Sequence, residues 1–370
     1  MGLLSKRRDT HMSTMQHILF ESIDDQEIFE SIVSEFETYT VLPSSALVRD
    51  NGSYFTFSPF LDTDKYFINF TIDKGLKKQF CIRNLNKLDL TNPLCLNSQL
   101  TFTLQNYKRR NHACEIEDII TKISKIVGQE LVIEVPEILG EYFNAYKRKV
   151  CFTPNAKSAQ IPSIEGKHYY LRVYTDYYNE KVVIGSFVLV DTNMEKNISQ
   201  LDSIFFQERI GIIREKVEYI FQRKKYSFCY QMLKKVNLSE LNIHRILNDF
   251  ITISVLFDNG INPTAKGVGS ELSRKIKRLF IYSKYYCNIS SDDLINFYKI
   301  FIEFYNIAIN SDIYFSEKIH KVEIDLNHRI SSNKNMNITN WEYFYQTHGI
   351  PKEYFGIMEK ISVTDYNFKG

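Results

Sequence analysis

The sequence of 370 residues predicts an α+β fold: a mixed first half with antiparallel strands, then a mainly α-helical second half. Three observations carry this. Short alternating or apolar runs bounded by turn residues recur between residues 53 and 190, interrupted by helical stretches. From Leu201 the apolar period changes to about 3.6 and stays there. Glycine is scarce, 14 residues, while Phe and Tyr number 27 and 24, so the core is expected to be large and aromatic.

The elements follow in order. Residues 24–38 place Ile28, Phe29, Ile32, Val33 and Phe36 at helical spacing among acids, so an amphipathic helix starts near Asp24 or Asp25. Strands are expected at 53–59 and 66–72, then a turn at Asp73-Lys74-Gly75, then strands at 80–82 and 99–104. Residues 115–127 carry Ile116, Ile119, Ile120, Ile123 and Ile126 on one helical face, with Gly128 as the stop. A strand at 131–135 and a short helix at 136–147 come next. Residues 153–163 read as a loop, and 168–176 with 181–190 as a hairpin, followed by a polar stretch at 191–199. Helices are expected at 201–235, 240–257, 271–286, 291–310, 340–348 and 351–361. Ser239, Ser270 and Thr339 suit their N-caps, and Gly260 and Gly349 their ends. Residues 319–326 read as a lone strand. The two strands and helix after residue 168 loosely resemble the closing part of GAF or PAS sensory domains, a pattern with no diagnostic residues.

This gives a disordered extension at 1–14, an acidic-headed α+β domain at 15–152, and a hairpin region at 163–200 continuing it. A helical domain at 201–370 contains a basic segment at 209–284. The formal charge of +2 hides that asymmetry. Between residues 13 and 62 nine acids accompany one base, Arg49, whereas between 209 and 284 fifteen Lys and Arg outnumber six acids. Such a division points to nucleic acid or another anionic partner, to an acidic head that packs on or competes for the basic segment, or to a solvated helix face with surplus lysine.

Composition excludes several classes. With 44% hydrophobic and 24% charged residues the chain is not a disordered one. The longest apolar run, 182–190, falls far short of the roughly 20 residues that span a bilayer, so no membrane partner is expected. None of the six cysteines lies within a CxxC spacing and the eight histidines are scattered, so neither metal nor cofactor is expected. Buried free thiols in the cytoplasm are the expected state.

Four groups of residues could carry chemistry. Lys266, Gly267, Gly269 and Ser270 precede a helix whose first N–H groups could hold a phosphate. Arg274, Lys275, Lys277 and Arg278 form a basic ridge on that helix, with Leu272, Ile276 and Leu279 on its apolar side; Arg223, Lys224 and Lys225 are further phosphate contacts. Glu165-Gly166-Lys167, with Glu141 upstream, is the one acid-x-Lys pattern a metal-dependent nuclease could use. The reading that follows is a cytoplasmic, non-catalytic nucleic-acid-binding or regulatory protein that contacts phosphate through basic helices. Its alternatives are a nuclease-like enzyme and an assembly component that binds a protein partner, or itself, through the acidic N-terminal segment.

Overall fold

The computed structural model describes residues 20–49, 54–56, 59, 72–83, 94–107, 112–154, 166–191, 198–307, 310–333 and 336–357. The extension at 1–14, part of the expected strand at 53–59, all of that at 66–72 but its last residue, most of the 153–163 loop and Glu165 lie outside them.

The α+β expectation holds. Ten strands occur among the described residues: β1 (Thr40–Leu42), β2 (Val48–Arg49), β3 (Tyr54–Phe55), β4 (Lys74–Ile82), β5 (Ser98–Asn106), β6 (Val132–Pro136), β7 (Val150–Thr153), β8 (Lys167–Tyr177), β9 (Glu180–Asp191) and β10 (Ile198–Phe206). Eight of them form one mixed sheet in the order β1-β4-β5-β10-β9-β8-β6-β7. The pairs β1–β4 and β6–β7 are parallel and the rest antiparallel. The β8–β9 hairpin turns through Tyr178 and Asn179, both at positive φ, the geometry that matches strand twist in a two-residue turn.

The helices are α1 (Ile23–Glu35), α2 (His112–Val127), α3 (Gln207–Glu215), α4 (Ser227–Lys234), α5 (Glu240–Asp258), α6 (Gly267–Tyr285), α7 (Ser291–Phe304), α8 (Ser311–Ser331) and α9 (Trp341–His348). Ser22 starts α1 in a capping box with Asp25, and Ser239 caps α5 through the Asn242 N–H. Gly128 ends α2 at φ +76°, a conformation that side chains resist.

Five local expectations are corrected. Residues 198–206 are a strand. Leu201, Ile204 and Phe205 mimic helical spacing, but Leu201, Ser203 and Phe205 share one face and Gln200, Asp202, Ile204 and Phe206 the other. A boundary at 200/201 would divide β10, and this third strand separates the hairpin from the next helix. Residues 319–326 belong to α8: Ile319, Val322 and Leu326 are buried at helical intervals, while Ile324 is exposed. The short helix at 136–147 is two 3-10 turns, Glu137–Leu139 and Glu141–Phe143. The turn at Asp73-Lys74-Gly75 is mostly the start of β4. Ser270 lies inside α6, which begins at Gly267.

One face of the sheet carries Leu76, Phe102, Leu104, Phe205, Phe187, Leu189, Leu171 and Ile133, all in the main core. Helices α1, α2 and α3 pack together on that side, with α3 against β5 and β9. In the helical half α5 is buried almost throughout, and Phe250 meets the rings of Tyr298 and Phe301 at 5.2 and 5.4 Å. Polar contacts join the halves: Asn97 N donates to Asn248 Oδ1 at 3.0 Å, and Ser98 Oγ to Thr252 Oγ1 at 2.9 Å.

Candidate functional site

Side chains alternate across a strand, so the residues between those core positions occupy the opposite face. That face is polar. Lys77, Gln79 and Cys81 come from β4; Gln99, Thr101, Thr103 and Gln105 from β5; Gln200 and Asp202 from β10; and Ser186 from β9, and all are buried. Polar groups removed from water are costly unless hydrogen-bonded. Many are bonded. Lys77 Nζ donates to Ser45 Oγ at 2.7 Å, Gln79 Oε1 accepts from Ser45 N at 2.6 Å, and Thr101 Oγ1 donates to Gln79 O at 3.0 Å. Asp202 accepts from the amides of Gln105 and Gln200. Gln99 Oε1 is buried and meets no donor among the described residues. At the far side Arg172 forks onto Glu134, Nε at 3.1 Å and Nη2 at 2.5 Å.

Burial pushes the Cys81 thiol up to about 11, against the opposing pull of Thr101, Arg83 and Lys77. A thiol in that state is not a nucleophile at neutral pH. The face is therefore built for hydrogen bonding and charge recognition, with amides, hydroxyls, cations and carboxylates held on rigid strands.

Two arginines edge this face. Phe206 ends β10 on the polar side, opposite Thr101. The Arg209 guanidinium lies over its ring at 4.4 Å and that of Arg83, from the end of β4, at 5.2 Å. Arg209 is held in place: Nε donates to Leu94 O at 2.9 Å, Nη1 to Val183 O at 2.7 Å, and Nη2 to Cys95 Sγ at 3.7 Å. A guanidinium has five N–H donors, so two meet no acceptor among the described residues.

Next to this edge lies a buried ion cluster. Arg223 is fully buried and bonds Asp25 at 2.8 Å, Glu208 at 2.5 Å and Glu215 at 2.7 Å. Lys225 bonds Asp25 at 2.7 Å and Glu208 at 2.5 Å, and Tyr226 OH donates to Glu208 at 3.1 Å. Burial raises the Asp25 carboxyl, but Lys225 and Arg223 outweigh it and hold the group well below the usual carboxylate range. The acidic head thus packs on the basic segment through Asp25, as one of the sequence expectations had it.

The residues singled out from sequence are dispersed. Arg223 lies at the centre of that cluster and Lys225 at its edge, while Lys224 is exposed and its N–H donates to Glu215. On α6, Arg274 is exposed and paired with Glu271, Lys277 and Arg278 are half-buried, and Lys275 is 4% exposed and paired with Asp249 at 2.5 Å. Burial lowers the Lys275 ammonium and the Asp249 carboxylate opposes the shift. Of the four residues expected to form a basic ridge, Lys275 is instead buried where α5 packs against α6. Leu272, Ile276 and Leu279 are buried as expected. Lys266 and Gly267 are exposed, Gly269 is buried, and Ser270 Oγ donates back to Gly267 O at 2.8 Å. Glu141 is exposed on its 3-10 turn and Lys167 exposed at the start of β8. Among the described residues no group of three or more His, Cys, Asp or Glu gathers to hold a metal ion. No helix there is long and apolar enough to cross a membrane.

Sequence reasoning missed the polar face and the Arg83–Phe206–Arg209 edge. The available signal was the alternation Gln99, Thr101, Thr103, Gln105 against Leu100, Phe102, Leu104 in β5.

No protein-family model matches the chain, and no curated protein matches it. Solved structures do. It is similar to pyrrolysyl-tRNA synthetase from Desulfitobacterium hafniense, at 11% identity and TM-score 0.35, covering 60% of this chain and 78% of that one. It is similar to asparaginyl-tRNA synthetase from Entamoeba histolytica in complex with asparaginyl-adenylate, at 8% and 0.37, covering 55% and 65%. For aspartyl-tRNA synthetase from the same organism the values are 9% and 0.38, with 61% and 66% covered.

The expectation of a non-catalytic, nucleic-acid-binding or regulatory protein, with its nuclease-like and assembly alternatives, is corrected. Arg223, Lys225 and Lys275 are engaged in buried ion pairs, so these three do not offer the phosphate contacts that reading assigned to them.

Proposed function

We propose that the protein is a nucleotide-using enzyme whose nucleotide lies on the polar face of the sheet, with its phosphates toward Arg83 and Arg209. The observation that carries this is a sheet face that, across β4, β5 and the start of β10, buries amides, hydroxyls and ions and is edged by two guanidinium groups on one aromatic ring. A nucleotide needs all three chemistries. Its phosphates suit the planar fork of arginine, its base suits an aromatic or guanidinium plane, and its ribose and base edges suit fixed amides and hydroxyls. Arg209 is already oriented by three hydrogen bonds, so little ordering remains to be done on binding. The six cysteines, all free thiols, support a cytoplasmic location as part of the same reading.

The test is calorimetric titration of the full chain with Mg-ATP, wild type against Arg83→Ala and Arg209→Ala. Each variant should bind about tenfold or more weakly, because a hydrogen bond to a charged group is worth about 1.5–3 kcal/mol. Absence of binding by the wild type, or equal affinity in all three proteins, would overturn the reading.

A further inference from the structure

We propose that the ion cluster around Arg223 is a positioning device for Arg209, with Arg223 acting on the nucleotide site through the helix it grips. The inference rests on the nucleotide reading for its functional consequence, but its structural part stands apart from it.

The geometry points to α3. This helix of nine residues is held at both ends by one side chain: Arg223 Nη1 reaches Glu208 in its first turn at 2.5 Å, and Nε reaches Glu215 at its end at 2.7 Å. The guanidinium lies against the helix at Gly211, where a Cβ would overlap it. Arg223 Nη2 then binds Asp25, and Gln207 Nε2 donates to Asp25 O at 2.6 Å, which fastens the same turn to α1. Successive helical residues are about 100° apart, so fixing Gln207 and Glu208 sets the direction of Arg209. That direction is the one in which Arg209 reaches Leu94 O, Val183 O and the Phe206 ring. A small roll of α3 would keep the helix and lose these contacts. Arg223 is remote in function from any ligand, since it is fully buried among carboxylates. It is a positioning residue and not a binding one.

The test uses Arg223→Lys, which keeps the charge and the fold but cannot bond three carboxylates as a fork does. Arg223→Met serves as the stronger variant if it folds. The first readout needs no ligand: exchange protection of the Arg209 Nε–H in the ¹⁵N-labelled chain, assigned by its loss in Arg209→Lys. It should fall at least tenfold in Arg223→Lys while a melting curve shows a folded protein. The second readout is Mg-ATP affinity, which should fall about tenfold in Arg223→Lys and not at all when the change is added to Arg209→Ala. Unchanged Arg209 protection in folded Arg223→Lys would overturn the proposal. Additive losses in the double variant would overturn it too, by showing that Arg223 acts on affinity by another route. If the wild type binds no ATP, the nucleotide reading falls, and the exchange result alone still decides whether Arg223 positions Arg209.

Discussion

Arg223→Met should lower stability by about 3–5 kcal/mol, the usual consequence of removing one partner from a buried ion pair. The loss would leave the buried Asp25 and Glu208 with Lys225 as their one remaining ion-pair partner among the described residues, and would leave the half-buried Glu215 without its Arg223 bond. The magnitude reflects uncompensated charge and not the net worth of the intact cluster, since apolar replacements of whole buried ion groups are often neutral. Neutralising a carboxylate together with Arg223, as in Asp25→Asn with Arg223→Met, should therefore recover part of the loss. Urea unfolding at neutral pH measures both: the midpoint should drop steeply in the single variant and partly return in the double, at unchanged slope. A wild-type midpoint for Arg223→Met would contradict the buried cluster.

Acid should unfold the protein in part through Glu115. This carboxylate, 10% exposed at the start of α2, meets Lys74 Nζ at 2.6 Å, Tyr39 OH at 2.9 Å and His112 Nδ1 at 3.4 Å. Burial alone would raise it, but the bonds from His112, Lys74 and Tyr39 prevail and pull it to about 2 from 4.5. A group depressed on folding stabilises the protein fully above its unfolded value. That contribution is lost as pH falls from about 4.5 towards 2. It amounts to about 2–3 kcal/mol after allowance for the solvent that still reaches the group. Asp25, depressed more strongly by Lys225 and Arg223 against its own burial, adds a slope of the same sign. Stability measured from pH 2 to 7 should rise less steeply with pH between 2 and 4.5 in Glu115→Gln than in the wild type. Parallel curves would show that the carboxylate titrates alike in both states.

Much of the fold was legible because local pattern and tertiary environment agree in those segments. Ile116, Ile119, Ile120 and Ile123 mark α2 by spacing, and all four are buried. The hairpin at 167–191 announces itself by alternation around Asn179. Pattern misled where it was degenerate. Leu201, Ile204 and Phe205 fit both periods, and only pairing with β5 and β9 selects the strand. The alternation His320-Lys321-Val322-Glu323-Ile324 suggested a strand, although Ile324 faces water. The site was harder to see for a different reason. In a half-solvated strand Thr101, Thr103 and Gln105 would face water, whereas here they are buried beside Lys77 and Asp202 from strands distant in sequence. Likewise a surplus of Lys and Arg after residue 209 resembles a phosphate surface until Asp25, far upstream, is found bonded to Arg223 and Lys225.

In the proposed function the polar sheet face, and not the basic helix α6, receives the nucleotide. Hydrogen–deuterium exchange of the full chain with and without saturating Mg-ATP tests it most directly. Bound nucleotide should slow exchange in peptides covering β4, β5 and the β10–α3 junction, those that carry Arg83, Thr101, Phe206 and Arg209. Protection confined to residues 266–278, or none anywhere, would contradict it.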